Sequence, residues 1–128
     1  SNTFGGNLLA CAAGIASLDF MRKEKLGDNA KKQGAYMLKL LSELKDKYEI
    51  IGDVRGKGLM IGVELVKDKY SKEQAEEEMQ QILCNAAAKG LVLLGAGKSV
   101  IRFCPPLIIT KQQVEQGIQM FEDAVKKV

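Results

Sequence analysis

Apolar residues recur at helical spacing along the first part of this chain. Residues 8–25 are rich in Ala, Leu, Ile and Met, which favour helix, and Asn7 is suited to cap the start of that helix. Apolar residues occupy most sides of the segment at first, so we expect it to pack against more protein than a small domain offers. Gly27 is predicted to end this helix, and Asp28 is predicted to cap the next one.

The next segments change from a helical period to a strand period. Residues 28–48 carry one apolar stripe with a spacing of three or four, which is typical of an amphipathic helix. Residues 59–66 then alternate with period two and form the strongest predicted strand. A shorter strand over residues 50–55 and a glycine turn at residues 56–58 complete a predicted hairpin.

The second half repeats this order of helix and hairpin. Ser, Lys, Glu and Gln at 71–74 form a capping-box pattern, and the predicted helix that follows ends at Gly90. Two short strands over residues 91–94 and 100–103 flank a glycine turn at 95–97. The predicted core positions of the helix are Ala75, Met79, Ile82, Leu83 and Ala86.

The chain closes on a short extended segment and a last helix. Residues 107–109 are predicted to be extended, and a second capping box at 110–113 starts the helix. Its predicted buried residues are Val114, Ile118, Phe121 and Val125. The whole order predicts a single α+β domain over residues 1–128, with a small, mainly antiparallel sheet and helices packed on one face.

Composition narrows the chemistry. The 128 residues include no histidine, which excludes His-based acid–base catalysis and His-ligated zinc within this sequence. The formal net charge is +3 and scattered, so no nucleic-acid partner is predicted, and no apolar run is long enough to predict a membrane partner. Cys11, Cys84 and Cys104 form no CxxC pair, so we expect small buried thiols, no metal site and a cytoplasmic location.

The sequence GAGKS at residues 95–99 ends like a phosphate-binding P-loop. A P-loop also requires a glycine at the position of Val92 and a helix directly afterwards. A strand is predicted there instead, so we interpret the segment as a hairpin turn.

Two charged residues stand on apolar strands. Arg102 lies in the most apolar stretch of the chain, where its guanidinium would need an anion, either a bound carboxylate or a local Asp or Glu. The residues alone leave these alternatives about even. Glu64 is expected to pair with Arg55 or with a backbone amide rather than to act in catalysis.

The segment TFGGN at residues 3–7 combines a hydroxyl, two glycines and a helix start. Hydroxyl and backbone N–H groups at a helix N-terminus suit a phosphate. An ordinary capped loop is the simpler interpretation of the local sequence.

Four segments together resemble the class III aminotransferases, which depend on pyridoxal phosphate (PLP). TFGGNLLACAA at 3–13 resembles the family's TFxGNPLACAAA segment, and GDVRGKGLMIGVE at 52–64 resembles its DVRGxGLMxGxE hairpin. Residues 89–94 resemble its KGLLLL strand, and IRFCPPL at 101–107 resembles its xRxxPPL segment. The segments lie in family order over nearly the whole chain, which resembles the C-terminal small domain of a fold-type I enzyme.

The resemblance implies roles for two residues. The family's threonine at the position of Thr3 reaches across a homodimer interface to the phosphate of the partner subunit's PLP. The arginine at the position of Arg102 binds a carboxylate of the amino donor or of the 2-oxo-acid acceptor. Leu8 departs from the family's proline, which suits the first turn of a helix.

The resemblance also implies what this sequence lacks. The family's Schiff-base lysine and the aspartate at the pyridine nitrogen belong to the large domain, upstream of the segment that contains Thr3. We therefore expect the parent protein to be a transaminase and this chain to be inactive alone.

Residues 52–107 most resemble 4-aminobutyrate aminotransferases, which implies transfer from an ω-amino acid to 2-oxoglutarate. Acetylornithine and ornithine aminotransferases share much of the pattern. Two further alternatives are a non-catalytic module that binds small carboxylates through Arg102, and a structural association domain that uses the apolar first helix.

Overall fold

The computed structural model describes residues 2–128, which form four helices and four strands. The helices are α1 (Leu8–Lys23), α2 (Leu26–Lys47), α3 (Glu76–Ala88) and α4 (Lys111–Val125). The strands are β1 (Ile51–Lys57), β2 (Met60–Leu65), β3 (Leu94–Ala96) and β4 (Val100–Phe103). Among the described residues, no helix is long and apolar enough to cross a membrane.

The four strands form one antiparallel sheet in the order β1-β2-β4-β3. Side chains alternate between the two faces of a strand, and the inward positions of β2 are buried while its outward positions are more exposed. The predicted α+β fold is confirmed. We call the outward side of the sheet the open face; it carries Asp53, Arg55, Gly62, Glu64, Val100 and Arg102.

The core lies between the sheet and three helices, α2, α3 and α4. Its largest fully buried side chains are Leu41, Ile51, Ile61, Val63, Leu65, Ile82, Ile101, Val114 and Phe121. Phe121 of α4 meets Phe103 of β4 edge to face, with ring centroids 5.1 Å apart. This contact joins the last helix to the strand that carries Arg102.

Helix α1 contributes nothing to this core. None of its residues is buried, although Leu8, Leu9, Ile15, Leu18, Phe20 and Met21 all lie on it. Within residues 2–128 the helix meets the rest of the chain mainly at α2. The predicted excess of apolar surface on this helix is therefore present and is not covered by the described residues.

The predicted boundary between the first two helices was wrong in detail. Asn7 does cap α1, because its Oδ1 accepts the N–H of Ala10 at 3.0 Å. The break, however, falls at Lys25, which adopts a left-handed φ of 50°, and Gly27 and Asp28 lie inside the first turn of α2. An acidic residue is favourable in a first turn, which explains how Asp28 can mark a helix start without capping it.

The capping box predicted at Ser71 was also wrong, since α3 begins only at Glu76. The carboxylate of Asp68 instead accepts the N–H groups of Tyr70 and Ser71 and the Ser71 hydroxyl, which closes a turn. At α4, by contrast, the capping box of Thr110 and Gln113 is confirmed in both directions.

Strand β3 begins three residues later than predicted. Gly90, at a left-handed φ of 89°, ends α3 as expected, but the N–H of Leu91 then bonds back to the carbonyl of Ala86 at 3.0 Å. Residue 91 thus belongs to the helix end, and the strand runs over Leu94–Ala96 with a turn at residues 97–99. Residues 107–108 form a turn rather than the predicted extended segment.

The prediction of buried thiols was wrong for all three cysteines, which are free and exposed. Cys11 lies on α1, where no residue is buried. Cys104 follows Phe103, whose side chain is buried, so the alternation of the strand turns Cys104 outward.

Candidate functional site

Arg102 lies on the open face of the sheet, in the middle of β4. It is paired with Gly62 of β2 on one side and with Leu94 of β3 on the other. Its side chain is exposed, and no ion pair to it is formed within residues 2–128. Of the two anions that could satisfy Arg102, the local Asp or Glu is therefore not used, and the planar fork of N–H donors is free to bind an external anion.

The strand beneath Arg102 is firmly held. Its neighbours along β4, Ile101 and Phe103, are almost completely buried on the opposite face. The guanidinium is thus carried by a backbone that packs on both sides of the arginine. This packing fixes the backbone from which the Arg102 side chain extends.

An apolar cleft of about 320 Å³ adjoins Arg102. It lies where the end of the sheet meets α4, and its lining includes Leu91, Leu94, Phe103, Pro105 and Pro106. A guanidinium at the edge of an apolar cleft suits a small molecule with a carboxylate and a carbon body. Thr3 does not line this cleft, so the described structure does not unite the two predicted site residues.

The prediction that Glu64 pairs with Arg55 is confirmed. Arg55 Nη1 donates to Glu64 Oε2 at 2.5 Å and to Asp53 Oδ2 at 3.0 Å. Lys45 from α2 adds a bond to the other oxygen of Asp53 at 3.1 Å. Together Lys45 and Arg55 hold the pKa of the Asp53 carboxyl below its ordinary value, since both bonds favour the charged form.

Asp53 and Lys45 were missed by sequence reasoning as members of this charged cluster. The signal for Asp53 was available, because in the predicted hairpin it falls on the same face as Arg55 and Glu64. The signal for Lys45 was not, since it comes from a helix whose rotation against the sheet no strand pattern reveals.

Thr3 lies in an exposed turn over residues 3–6, directly before α1. Gly6 adopts a left-handed φ of 81°, which glycine tolerates best, and no atom lies within 4 Å of the position that a Cβ would take there. The turn therefore leaves open space at Gly6, directly before Asn7, the N-cap of α1. The N–H groups at a helix start and a threonine hydroxyl are donors that suit a phosphate group.

The glycine segment at 95–99 belongs to a hairpin, as predicted, with residues 95–96 in β3 and the turn at residues 97–99. Gly97 takes a φ of 71°, and β4 begins at Val100 where a P-loop would begin a helix. Lys98 therefore has no helix N-terminus to act with.

Comparison with known proteins places this geometry in a family. The sequence profile "Aminotransferase class-III" matches residues 1–125. The chain belongs to the class III aminotransferase family. The family resemblance of the four motifs is thereby confirmed, while particular closeness to 4-aminobutyrate aminotransferases is not shown.

Curated relatives of this class III chain differ in their names. It is 44% identical over 128 residues to human alanine–glyoxylate aminotransferase 2, mitochondrial. That alignment covers 97% of this chain and 25% of the human protein. It is 40% identical over 126 residues to leucine/methionine racemase of Thermococcus litoralis, in an alignment that covers 98% of this chain and 28% of the racemase. An acetylornithine aminotransferase of Caldanaerobacter subterraneus is 35% identical, in an alignment that covers 100% of this chain and 30% of that protein. The chain thus spans 25–30% of the length of these relatives.

Solved structures share the fold closely. A Bacillus anthracis aminotransferase superposes with a TM-score of 0.94 at 30% identity, covering 98% of this chain and 30% of that one. An amine transaminase from an uncultivated Pseudomonas species, solved in its PLP-bound form, superposes with a TM-score of 0.92 at 34% identity. The superposition covers 98% of this chain and 29% of that one.

Proposed function

We propose that this class III chain, residues 1–128, is the small domain of a PLP-dependent transaminase and supplies its carboxylate-binding arginine, Arg102. The observation that carries the proposal is the exposed guanidinium of Arg102, which has no ion pair within residues 2–128 and lies beside an apolar cleft. Amino-acid and 2-oxo-acid substrates share a carboxylate, which Arg102 can bind through two parallel hydrogen bonds. A carboxylate fixed there orients the reacting carbon without taking part in the chemistry.

Thr3 is proposed to bind the cofactor phosphate. The open space at Gly6, the exposed hydroxyl and the start of α1 support this assignment. When bound, PLP supplies the electron sink that amino-group transfer requires. The lysine that holds PLP covalently is proposed to belong to a large domain outside these residues, so the 128-residue chain alone is expected to be inactive.

The second subunit of a homodimer is proposed as the source of the PLP that Thr3 contacts. The exposure of Thr3 and of the apolar residues on α1 supports a partner at this end of the chain. A cytoplasmic location is retained as a proposal, although the human relative is named as mitochondrial.

The proposed donor is an ω-amino acid, with 4-aminobutyrate as the best choice and 2-oxoglutarate as acceptor. Acetylornithine or ornithine is the alternative within the same pattern, and an acetylornithine aminotransferase is among the relatives. The 44% identity to alanine–glyoxylate aminotransferase 2 favours a second pair, alanine and glyoxylate. A panel of these three pairs, assayed on the whole protein with PLP, ranks them by kcat/KM.

The role of Arg102 is tested by Arg102→Lys in the whole protein. Lysine keeps the charge but loses the fork, and loss of such a charged contact costs about 1.5–3 kcal/mol, or about 10- to 150-fold in KM for the carboxylate substrate. Lys98→Gln is the control, because it removes a positive charge from the neighbouring turn and should leave KM unchanged. Normal KM in Arg102→Lys would contradict the proposed function.

The role of Thr3 has a separate readout. Thr3→Ala is expected to weaken PLP binding about tenfold, the value of one hydrogen bond to a charged group, and Thr3→Ser should restore it. Titration of the apoprotein with PLP, followed by absorbance, measures this without any turnover.

The non-catalytic alternative makes a different prediction. A free-standing binding module would release or absorb heat when the 128-residue chain is titrated with glutamate, 2-oxoglutarate or 4-aminobutyrate. We expect no such heat at millimolar ligand, because a single exposed arginine provides only a small part of a binding site.

A further inference from the structure

The open face places a carboxylate next to Arg102. Gly62 pairs with Arg102 across β2 and β4, and Glu64 pairs with Val100 in the adjacent row of the same face. Glu64 is therefore the diagonal neighbour of Arg102. Diagonal neighbours in an antiparallel pair lie about 7–8 Å apart, within reach of a long side chain.

Arg55 already forms an ion pair with the carboxylate of Glu64. It pairs with Gly62 from the other side, so the two arginines flank this glycine on one face of the sheet. Its Nη1 lies 2.5 Å from Glu64 Oε2, and no other ion pair to Glu64 is formed among residues 2–128. Arg55 is thus the group that holds Glu64.

Asp53 behaves differently, because it has a second cation. Lys45 lies 3.1 Å from its Oδ1, while Arg55 lies 3.0 Å from its Oδ2. If Arg55 were removed, Asp53 would keep Lys45, but Glu64 would keep none of the ion pairs that residues 2–128 form. The carboxylate that is released by the loss of Arg55 is therefore Glu64.

The side chain of Val100, which pairs with Glu64, leans into the space between Glu64 and Arg102. Gly62 has no side chain between the two guanidiniums, and a Cβ there would lie 3.2 Å from Cγ1 of Val100. Gly62 therefore leaves the two arginines without a β2 side chain between them, and Val100 bounds this space on the side of Glu64.

We propose that Arg55 is a positioning residue, which holds Glu64 so that Arg102 stays free for the substrate carboxylate. The proposal rests on the proposed function of Arg102. A carboxylate tethered beside Arg102 acts at an effective concentration of millimolar order or above, so a released Glu64 would compete with a substrate at ordinary concentration.

The test uses the whole protein and the 2-oxo acid that gives the highest kcat/KM in the substrate panel. Arg55→Gln should raise KM for that acid about tenfold with kcat changed less than twofold, as expected for an internal competitor. The double variant Arg55→Gln/Glu64→Gln lacks the same arginine and also the competing charge, so its KM should return to within about twofold of the original. Asp53→Asn is the matched control: it removes the other carboxylate that Arg55 contacts, leaves Arg55 on Glu64, and should not change KM.

The rescue distinguishes positioning from a merely structural role. If Arg55→Gln and the double variant show equally raised KM values, the arginine supports the hairpin rather than Arg102, and the proposal is wrong. Unchanged KM in Arg55→Gln also overturns it. Arg55→Lys, which can still pair with Glu64, should give near-normal KM, and this variant tests the proposal even if Arg55→Gln folds poorly.

Arg102→Lys, measured in parallel, separates failure of this proposal from failure of the proposed function. Raised KM in Arg102→Lys with normal KM in Arg55→Gln rejects only the role of Arg55. Normal KM in both rejects the role of Arg102 and, with it, the positioning role.

Discussion

The two predicted site residues lie in regions of opposite character. Arg102 lies on a strand whose other face belongs to the packed core, so this chain alone fixes the backbone from which its side chain extends. Thr3 lies before α1, a helix with no buried residue, so within residues 2–128 no packed element fixes its position. The chain therefore holds the backbone of one predicted site residue in its core and places the other beside a helix that the described residues do not cover.

The largest difference between the regions is expected in the effect of an aromatic deletion. Phe121→Ala removes a fully buried ring that contacts Phe103, and should lower the free energy of unfolding of the chain by about 3–5 kcal/mol. Phe20→Ala removes a ring of α1 that is 52% exposed, and should change it by less than about 0.5 kcal/mol. Urea unfolding measures both. Equal losses in the two variants would mean that α1 is part of the same cooperative core.

Glycine-to-alanine changes on α2 and α1 compare how closely the backbones of these two helices are packed. At Gly34 of α2, a Cβ would lie 2.0 Å from the carbonyl oxygen of Gly58, so Gly34→Ala must push the helix from the hairpin. We expect a loss of about 1–3 kcal/mol, which thermal unfolding would detect as a lower Tm. Gly14→Ala on α1 meets nothing within 4 Å, and should instead raise helix stability by up to about 1 kcal/mol. A stabilising Gly34→Ala would contradict the close contact.

The smallest expected effect concerns acid. Glu122 of α4 accepts hydrogen bonds from Lys47 and Tyr48 at the end of α2, the latter at 2.8 Å. Lys47 first and Tyr48 second lower the pKa of the Glu122 carboxyl below its ordinary 4.5. A lowered carboxyl pKa contributes stability that is fully present above pH 4.5 and is lost as the pH falls through the folded pKa.

Glu122→Gln should therefore lower the free energy of unfolding by about 1 kcal/mol at pH 7. It should change it by almost nothing at a pH below the folded pKa of Glu122. Urea unfolding at several pH values from 7 downward measures the difference. Asp19→Asn on α1, where no ion pair is formed within residues 2–128, should leave the stability at pH 7 unchanged. A constant cost of Glu122→Gln at every pH would show that the lost contribution is not one of charge.

Sequence reasoning captured the parts of this fold that depend on local periodicity. The alternation around Val63 predicted both the hairpin and the buried face of the sheet, and the box at Thr110 predicted the start of α4. It failed where tertiary structure overrides a local signal. Ser71 resembles a cap but bonds to Asp68, and residue 91 resembles a strand but completes the end of α3.

The site was predictable in part for the same reason. The pairing of Glu64 with Arg55 follows from hairpin register, which a strand pattern contains. The exposure of Arg102 does not, because its apolar sequence neighbours lie on the other face of the strand and along the cleft. The apolar residues next to Arg102 in sequence therefore suggested a buried charge, whereas the structure has this charge on the open face.

We infer that this chain alone fixes the strand that carries Arg102, and we propose that further protein covers α1 beside Thr3. Hydrogen–deuterium exchange tests it most directly, with the 128-residue chain compared with the whole protein. We expect amides of α2, α4 and β4 to be protected in both, and amides of α1 to exchange at least about 100-fold faster than these in the chain alone but not in the whole protein. Strong protection of α1 in the chain alone, or weak protection of β4 there, would contradict the account.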